Sequence, residues 1–515
     1  MSLLSTAFFG FLIAVLAVYF VAPAKYRWVV LLVASYAFYL FSGAKTVVYL
    51  LFTTVSTFYA ARAMDTIGKR VEDKRKAKHQ KRCILAAALV ANFGILLVLK
   101  YSNFAIGNFN ALSVLFDFQT TLSMHNLLLP LGISFYIYQT ASYLVDVYRG
   151  KHASCESLPR YTLFVAYFPQ MVQGPISRYS DLAPQLFAPH HWDPDNAKHG
   201  IQLMLWGYFK KVIIADRIAV LVDTIFGNYQ QYGGAVIFFA VICYCIQLYC
   251  DFSGGIDIIR GASQIMGITL ADNFRRPYFS RTISEFWRRW HITLGTWMKD
   301  YLFYPLSLSR RFTRMGRTFR KWFGDQIGKL IVPCLVTVVV FLAVGLWQGS
   351  SWKWIAYGLW NGGLIALGML FAHPLQNTMK NLRINPDSHL WHTFQLLRTV
   401  LLMCVGRYFS RATTLMTALR MMKRTVVHFA PGQLIDGTLL RLGLDSTNLM
   451  IVVLGCAVLL TVSLIQERGH SLRSLLEQKP PVVQFCVTFA GVLVLVVLGI
   501  YAQGYISSEF IYGNV

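Results

Sequence analysis

The sequence predicts an all-α polytopic membrane protein, and three observations carry that prediction. Apolar residues make up 56% of the chain and charged residues only 14%, against about 25% charged in soluble domains. Apolar runs recur from one end of the sequence to the other, and a backbone facing lipid must satisfy its hydrogen bonds locally, as a helix does. The longest polar stretches, 181–200, 310–328, 373–392 and 428–448, are short enough to be loops or interfacial helices, so no soluble domain is visible. The mean hydropathy of +0.48 agrees.

Taken in order, the runs are Leu3–Phe20, Trp28–Phe41, Val47–Ala61, Cys83–Leu99, Val236–Cys250, Ile331–Leu346, Trp354–Phe371, Thr399–Val405 with its flanks, Met450–Ile465 and Val483–Tyr501. Several fall short of the roughly 20 residues of a full crossing, so the expectation is about ten to twelve membrane segments, some of them re-entrant or interfacial. The first run lacks a basic start and leads through Pro23-Ala24-Lys25-Tyr26 into another span. It reads as a retained first helix rather than a signal peptide. The whole chain, 1–515, reads as one integral-membrane domain, with 420–515 supplying an amphipathic segment and the last membrane helices.

The net charge of +25 sits mainly in short loops, Lys69–Arg82 and Arg310–Lys329. Short loops rich in Lys and Arg stay in the cytoplasm and attract anionic lipid headgroups. Three spans before the first loop place the N-terminus outside. A nucleic-acid partner is excluded by this distribution. The nine cysteines form no CxxC pair, and free cysteine behaves as a small buried hydrophobe. The pair His190-His191 lies in a proline-broken stretch without further ligands, so no metal site is expected. Inverted repeats of a transporter and a Walker phosphate loop are not seen.

The central region, Leu129–Gly363, differs in texture. Gln139, Asp146, Gln170, Gln173, Asp251, Asp257, Asn273, Glu285, His291, Asp300, Gln348 and Asn361 interrupt its apolar runs. Polar groups at membrane depth mark a protein-enclosed cavity and are functional candidates. Along Trp287–Tyr301, helical spacing sets Trp287, Trp290, His291, Leu294 and Met298 on one stripe, with Arg288 and Arg289 further round. An imidazole among tryptophans is kept neutral by its low-dielectric setting, and neutral imidazole accepts a hydroxyl proton as a general base does. A core histidine bonded to a backbone carbonyl is the alternative. At Trp347-Gln348-Gly349-Ser350-Ser351-Trp352 an apolar helix breaks, and a break there lines a cavity. Gln348 can orient a substrate by hydrogen bonding but cannot take up a proton near neutral pH. Arg275, Arg276, Arg281, Arg288 and Arg289 suit the phosphates of an activated donor and equally suit snorkelling to headgroups.

Several stretches together carry a resemblance. They are Pro130-Leu131-Gly132-Ile133-Ser134-Phe135-Tyr136, Tyr143-Leu144-Val145-Asp146-Val147-Tyr148-Arg149-Gly150, Phe168-Pro169-Gln170 with Gly174-Pro175-Ile176, Asp251-Phe252-Ser253-Gly254, Glu285-Phe286-Trp287-Arg288-Arg289-Trp290-His291 and Asp300-Tyr301. Over roughly residues 1–420 the chain resembles the membrane-bound O-acyltransferase family, in its bacterial branch that acylates exported polysaccharides. The resemblance implies a helical bundle with a central funnel and an acyltransferase core over 129–363. It implies no bound cofactor and an acyl thioester co-substrate such as acetyl-CoA, taken from the cytoplasm. The implied partners are membrane lipids, the thioester donor, and an exported polysaccharide or an extracytoplasmic acyltransferase protein. The implied location is the bacterial cytoplasmic membrane, as a multi-pass protein. D-alanyl transfer to teichoic acid is the alternative activity.

His291 matches one family histidine, and the expected catalytic residues are His291 and Gln348, with Trp287, Arg288, Arg289, Trp347, Asn273 and Asp251 expected around the substrate. The family's second histidine, in the pattern Trp-His-Gly, falls on Gln348, and Asn361 stands where related members carry a histidine before glycine. Three explanations are open: His291 supplies the base while Gln348 positions the thioester; the lineage has altered activity; or the position was changed by engineering. A scaffold that docks an extracytoplasmic acyltransferase is the non-catalytic alternative.

Overall fold

A computed structural model describes residues 2–117, 120–125, 127–499 and 510. The described chain is helical throughout, and its single β-bridge joins Phe274 and Trp290. Its described residues form two compact units, one drawn from 2–204 and 255–271 with Phe510, and one from 205–254 and 272–499.

The first unit begins with α1 (Thr6–Val21), α2 (Arg27–Gly43), α3 (Val47–Arg70) and α4 (Lys74–Leu115). Ser5 caps α1 and Asp73 caps α4, each side chain accepting a backbone N–H of the first turn, one of the four such donors a helix start leaves unmet. Then come α5 (Ile133–Tyr148), α6 (Leu158–Ala166), α7 (Phe168–Gln173), α8 (Tyr179–Phe187) and α9 (Pro194–Tyr208), whose last residues pass into the second unit. Fourteen of the sixteen residues of α5 are buried, so this helix meets protein rather than lipid. Its Gln139 donates to the Phe164 carbonyl at 2.9 Å and accepts from Gln170 at 3.1 Å. The Tyr167 hydroxyl donates to Ser263 at 3.1 Å and that of Tyr19 to the Met266 carbonyl at 3.2 Å, both within this unit.

The second unit holds a π-helical turn, Phe209–Ala215, followed by α10 (Asp216–Gly227) and the first part of α11 (Gly234–Ile265). Two short helices follow, α12 (Ile283–Arg289) and α13 (Ile292–Met298), then a π-turn over Lys299–Phe303 and α14 (Tyr304–Ser307). The remainder is α15 (Arg310–Gln348), α16 (Trp352–Leu370), α17 (Ala372–Asn381), α18 (His389–Arg411), α19 (Leu415–Val427), α20 (Ser446–Glu467), α21 (Leu472–Glu477) and α22 (Pro481–Leu498). A kink at Gly324, with φ of 75°, folds the arginine-rich start of α15 back along its apolar part. There a Cβ on Gly328 would lie 2.5 Å from the Arg320 Cα.

By length and composition, six described helices can cross a membrane, or seven if the pair α16 and α17, bent by 55°, is one broken span. The sequence reading expected about ten to twelve segments by length. Two expected runs, Trp28–Phe41 and Val47–Ala61, fall within one 47-residue stretch, Ala24–Arg70, and α1 has only 16 residues, which accounts for part of the difference. The expected last span, Val483–Tyr501, corresponds to α22, while residues 500 and 501 and all of 502–515 except 510 lie outside the described residues.

Of the twelve polar residues that marked the central region, nine are buried, and Asp257, Glu285 and Asp300 are partly exposed.

Candidate active site

The sequence reading placed Trp290 and His291 on one continuous helical stripe. The structure breaks the helix there. A capping arrangement starts α12: Thr282 Oγ1 accepts the Glu285 N–H at 3.1 Å, and the Glu285 carboxylate accepts the Arg281 N–H at 2.9 Å. Reciprocal bonds of this kind fix the first turn of a helix. After two turns the chain pairs with an upstream strand-like turn. Arg275 N–H donates to the Arg289 carbonyl at 2.9 Å, Ile292 N–H donates to the Asn273 carbonyl at 3.0 Å, and the Phe274–Trp290 bridge lies between them. This pairing pulls Trp290 into extended backbone and forces His291 to φ 46°, ψ 55°. A non-glycine residue in the left-handed region is strained by about 1–3 kcal/mol and persists only where surrounding contacts over-determine it. His291 is both the strained residue and the N-cap of α13.

The Asn273 side chain meets three groups with one oxygen. Its Oδ1 lies 3.0 Å from Thr293 N, 2.9 Å from Thr293 Oγ1 and 3.2 Å from His291 Nδ1. The Thr293 backbone N–H can only donate, so the atom facing it is the amide oxygen, and His291 Nδ1 must carry a proton. The lone pair therefore resides on Nε2. That atom is buried and makes no hydrogen bond among the described residues. His291 is 1% exposed, with Phe252 edge-on at 4.9 Å between ring centroids and Trp347 at 5.4 Å. The ring lies outside the six spanning helices, and burial pushes its pKa down from 6.5 to about 3. At neutral pH the imidazole is uncharged.

Trp347 and Gln348 end α15, and both are buried. Gly349 follows because nothing larger fits: a Cβ there would stand 2.2 Å from the Trp354 indole nitrogen. The Trp347 ring brings this helix end to His291. Trp287 reaches another part of the helix pair, where its indole N–H donates to Asn361 Oδ1 at 3.1 Å, and Asn361 donates onward to the Tyr357 carbonyl at 2.9 Å.

Asp251 stands apart from the predicted substrate group. Its carboxylate is 2.6 Å from Lys211 Nζ, which is also 2.9 Å from Asp216, and all three side chains are buried. Two residues on, Ser253 accepts from Lys210 at 2.8 Å. Between these anchors lies Phe252, the residue that packs on His291, so the Asp-Phe-Ser motif supports the ring rather than offering a free carboxylate. Arg288 is exposed. Arg289 pairs with Glu285 at 2.7 Å and with Glu467 at 3.0 Å, and Arg276 pairs with Glu467 at 2.6 Å.

Two contributors escaped the sequence reading. Thr293 shares the Asn273 oxygen, and its signal was only a hydroxyl two residues after the histidine. Arg407, 1% exposed, holds its guanidinium 4.9 Å from the Trp290 ring and 3.3 Å from the Tyr357 hydroxyl. A buried arginine in a late apolar helix carried no spacing that linked it to residue 290.

The family model for membrane-bound O-acyltransferases matches residues 31–320, more than half of the chain. The chain belongs to the membrane-bound O-acyltransferase family. Among curated relatives, the protein named probable alginate O-acetylase AlgI of Azotobacter vinelandii is 32% identical over 413 residues, covering 80% of this chain and 75% of the relative. The peptidoglycan O-acetyltransferase of Helicobacter pylori is 30% identical over 372 residues, covering 67% and 64%. The teichoic acid D-alanyltransferase of Bacillus subtilis is 27% identical over 297 residues, covering 55% and 69%. This chain is a multi-pass membrane O-acyltransferase, and the family match spans the Asn273–His291 pairing.

Proposed function

We propose that this O-acyltransferase moves an acetyl group from a cytoplasmic thioester to hydroxyls of an exported cell-surface polysaccharide, in the bacterial cytoplasmic membrane. The observation that carries the reading is the buried His291 Nε2, a lone pair of fixed tautomer with no hydrogen-bond partner among the described residues. The relatives named as alginate and peptidoglycan O-acetylases support acetyl transfer to a glycan over D-alanyl transfer, being the more similar.

In this mechanism Nε2 takes the proton of the acceptor hydroxyl as its oxygen attacks the thioester carbonyl. The Asn273 oxygen holds the resulting imidazolium through Nδ1. The Gln348 amide N–H donates to the carbonyl oxygen as negative charge develops, a role open to an amide in a dry site. The tetrahedral intermediate collapses, the C–S bond breaks, and the thiolate recovers the proton from Nε2. Ester and thiol are the products, with no proton left over.

Acyl transfer from acetyl-CoA in proteoliposomes tests this. His291→Ala is expected to lose about 10²–10⁴-fold in turnover, the range of a positioned general base, and full turnover in that variant ends the proposal. A scaffold reading draws on Gln348 in the Trp-Gln-Gly pattern. Undiminished polymer acylation in cells that contain His291→Ala at normal levels favours the scaffold.

A further inference from the structure

On the outer side of α12, away from the Trp287 face, lies a pocket of about 360 Å³ lined by Arg281, Glu285, Arg289, His389, His392 and Glu467, among others. Its charges are unequally committed. Glu467 is shared by Arg276 and Arg289, and Glu285 is held by Arg289. Arg276 and Arg289 thus hold both carboxylates around this pocket, and the Arg281 side chain holds neither. Its guanidinium contacts His392 Nε2 at 3.1 Å, and no carboxylate pairs with it among the described residues. An arginine that donates to imidazole requires the neutral ring as acceptor, so it keeps its positive charge uncompensated.

The pocket's place relative to the membrane follows from the helix order. The apolar part of α15 runs from the arginine-rich arm to Gln348, and α16 returns after a three-residue break. Lys353, at the start of α16, donates to the Ala412 carbonyl just past the end of α18 at 2.7 Å, so α18 runs antiparallel to α16. His389 and His392, at the start of α18, therefore stand at the membrane face that carries Arg310–Lys329. Such arginine- and lysine-rich segments lie in the cytoplasm.

We propose that this pocket is a subsite for a phosphate group, with Arg281 as its principal ligand and His389 and His392 beside it. The phosphate is that of a water-soluble thioester donor arriving from the cytoplasm, and this assignment of source rests on the acetyl-transfer reading above. An anionic lipid headgroup presents the same chemistry. The arginine fork matches phosphate oxygens in pairs, whereas Arg276 and Arg289 stay locked on their carboxylates and fix the pocket wall.

The test uses the full chain in nanodiscs of phosphatidylcholine, with inorganic pyrophosphate as the probe in equilibrium dialysis. Arg281→Gln is expected to weaken pyrophosphate binding by about tenfold or more, the loss of one charged hydrogen-bond set, and Arg281→Lys to recover part of it. Equal binding by the unaltered protein and Arg281→Gln overturns the subsite, as does no binding by either. A kinetic arm compares acetyl-CoA with S-acetyl-N-acetylcysteamine, a thioester without phosphate. The ratio of their kcat/KM values is expected to fall about tenfold in Arg281→Gln. A constant ratio overturns the assignment to the donor. Phosphatidylglycerol that co-purifies with the unaltered protein, blocks pyrophosphate and is lost from Arg281→Gln reassigns the phosphate to a lipid. If the unaltered protein transfers no acyl group from either thioester, the acetyl-transfer reading fails while the dialysis result still decides the subsite.

Discussion

His291 is held in place by a carbonyl oxygen, and its chemistry should follow that oxygen. Asn273→Ala removes the acceptor that fixes the tautomer and leaves the Thr293 donors unmet. Its kcat is expected to fall about 10–100-fold, the usual cost of losing a partner that orients a functional histidine. Pre-steady-state acyl transfer measures this, and an unchanged kcat would show that the tautomer is set elsewhere. The depressed pKa of His291, about 3, makes a second prediction. Between pH 5 and 8 the ring stays neutral, so its protonation adds no acid limb to the kcat profile there. For stability the sign is the reverse of a histidine that gains an anionic partner. The unfolded ring takes a proton below about 6.5 and the folded ring does not. Stability therefore falls by up to about 1.4 kcal/mol per pH unit from pH 6.5 down towards 3. Thermal unfolding of His291→Gln against pH should show a shallower acid decline. At this scale the sequence was informative about identity and silent about conformation. Histidine among tryptophans announced a neutral imidazole, and Asn273 stood out as a polar interruption of an apolar region. Nothing in the spacing of 287–301 foretold the left-handed backbone at 291, because that is imposed by pairing with residues 273–275.

Among the elements, the α15–α16 pair decides where Trp347 and Gln348 stand. A Cβ on Gly345 would lie 2.3 Å from the Trp354 carbonyl oxygen, and one on Gly358 would lie 2.5 Å from that of Phe341. Small residues of this kind let membrane helices approach backbone to backbone. Gly358→Leu should force the pair apart, costing about 1–3 kcal/mol by overpacking and lowering activity through displacement of Trp347. Thermal unfolding in detergent together with turnover tests it, and a stable, fully active variant would show that the gap is not needed. The π-turn Phe209–Ala215 is a second such support, since it sets Lys211 between Asp216 and Asp251. Lys211→Met strips the cation from two buried carboxylates, for which about 3–5 kcal/mol of destabilisation is expected; the melting temperature of the purified variant measures it. Hydropathy revealed the helices, and polar interruptions revealed that some are enclosed. The partners of those polar residues were hidden, because Lys211 and Asp251 are forty positions apart and sequence distance says little about packing.

For the whole molecule, the distribution of basic loops gives an orientation that chemistry can read. Cys83 is exposed and follows directly on the basic stretch Lys69–Arg82, which was expected as a loop but is formed by the end of α3, residues 71–73 and the start of α4. A membrane-impermeant maleimide should label it in inverted vesicles and not in intact cells, the outcome set by cytoplasmic retention of basic loops. Labelling only from outside would reverse that orientation for α3 and α4. The all-helical membrane fold was plain from composition, whereas the number of spans was not, since an enclosed helix and a lipid-facing one share their hydropathy.

The base and the amide stand on separate supports. His291 is fixed by a short loop pairing within residues 273–293, and Gln348 rides on the end of a long helix sealed by Gly349 against Trp354. The Asn273 bond to His291 and the backbone pairing of 273–275 with 289–292 involve no atom of residue 348. Position 348 is in effect an exchangeable tooth on an otherwise finished lock. Gln348→His would meet a backbone already shaped by Gly349, and such an enzyme would differ from this one in the group it presents while His291 kept its seat and tautomer.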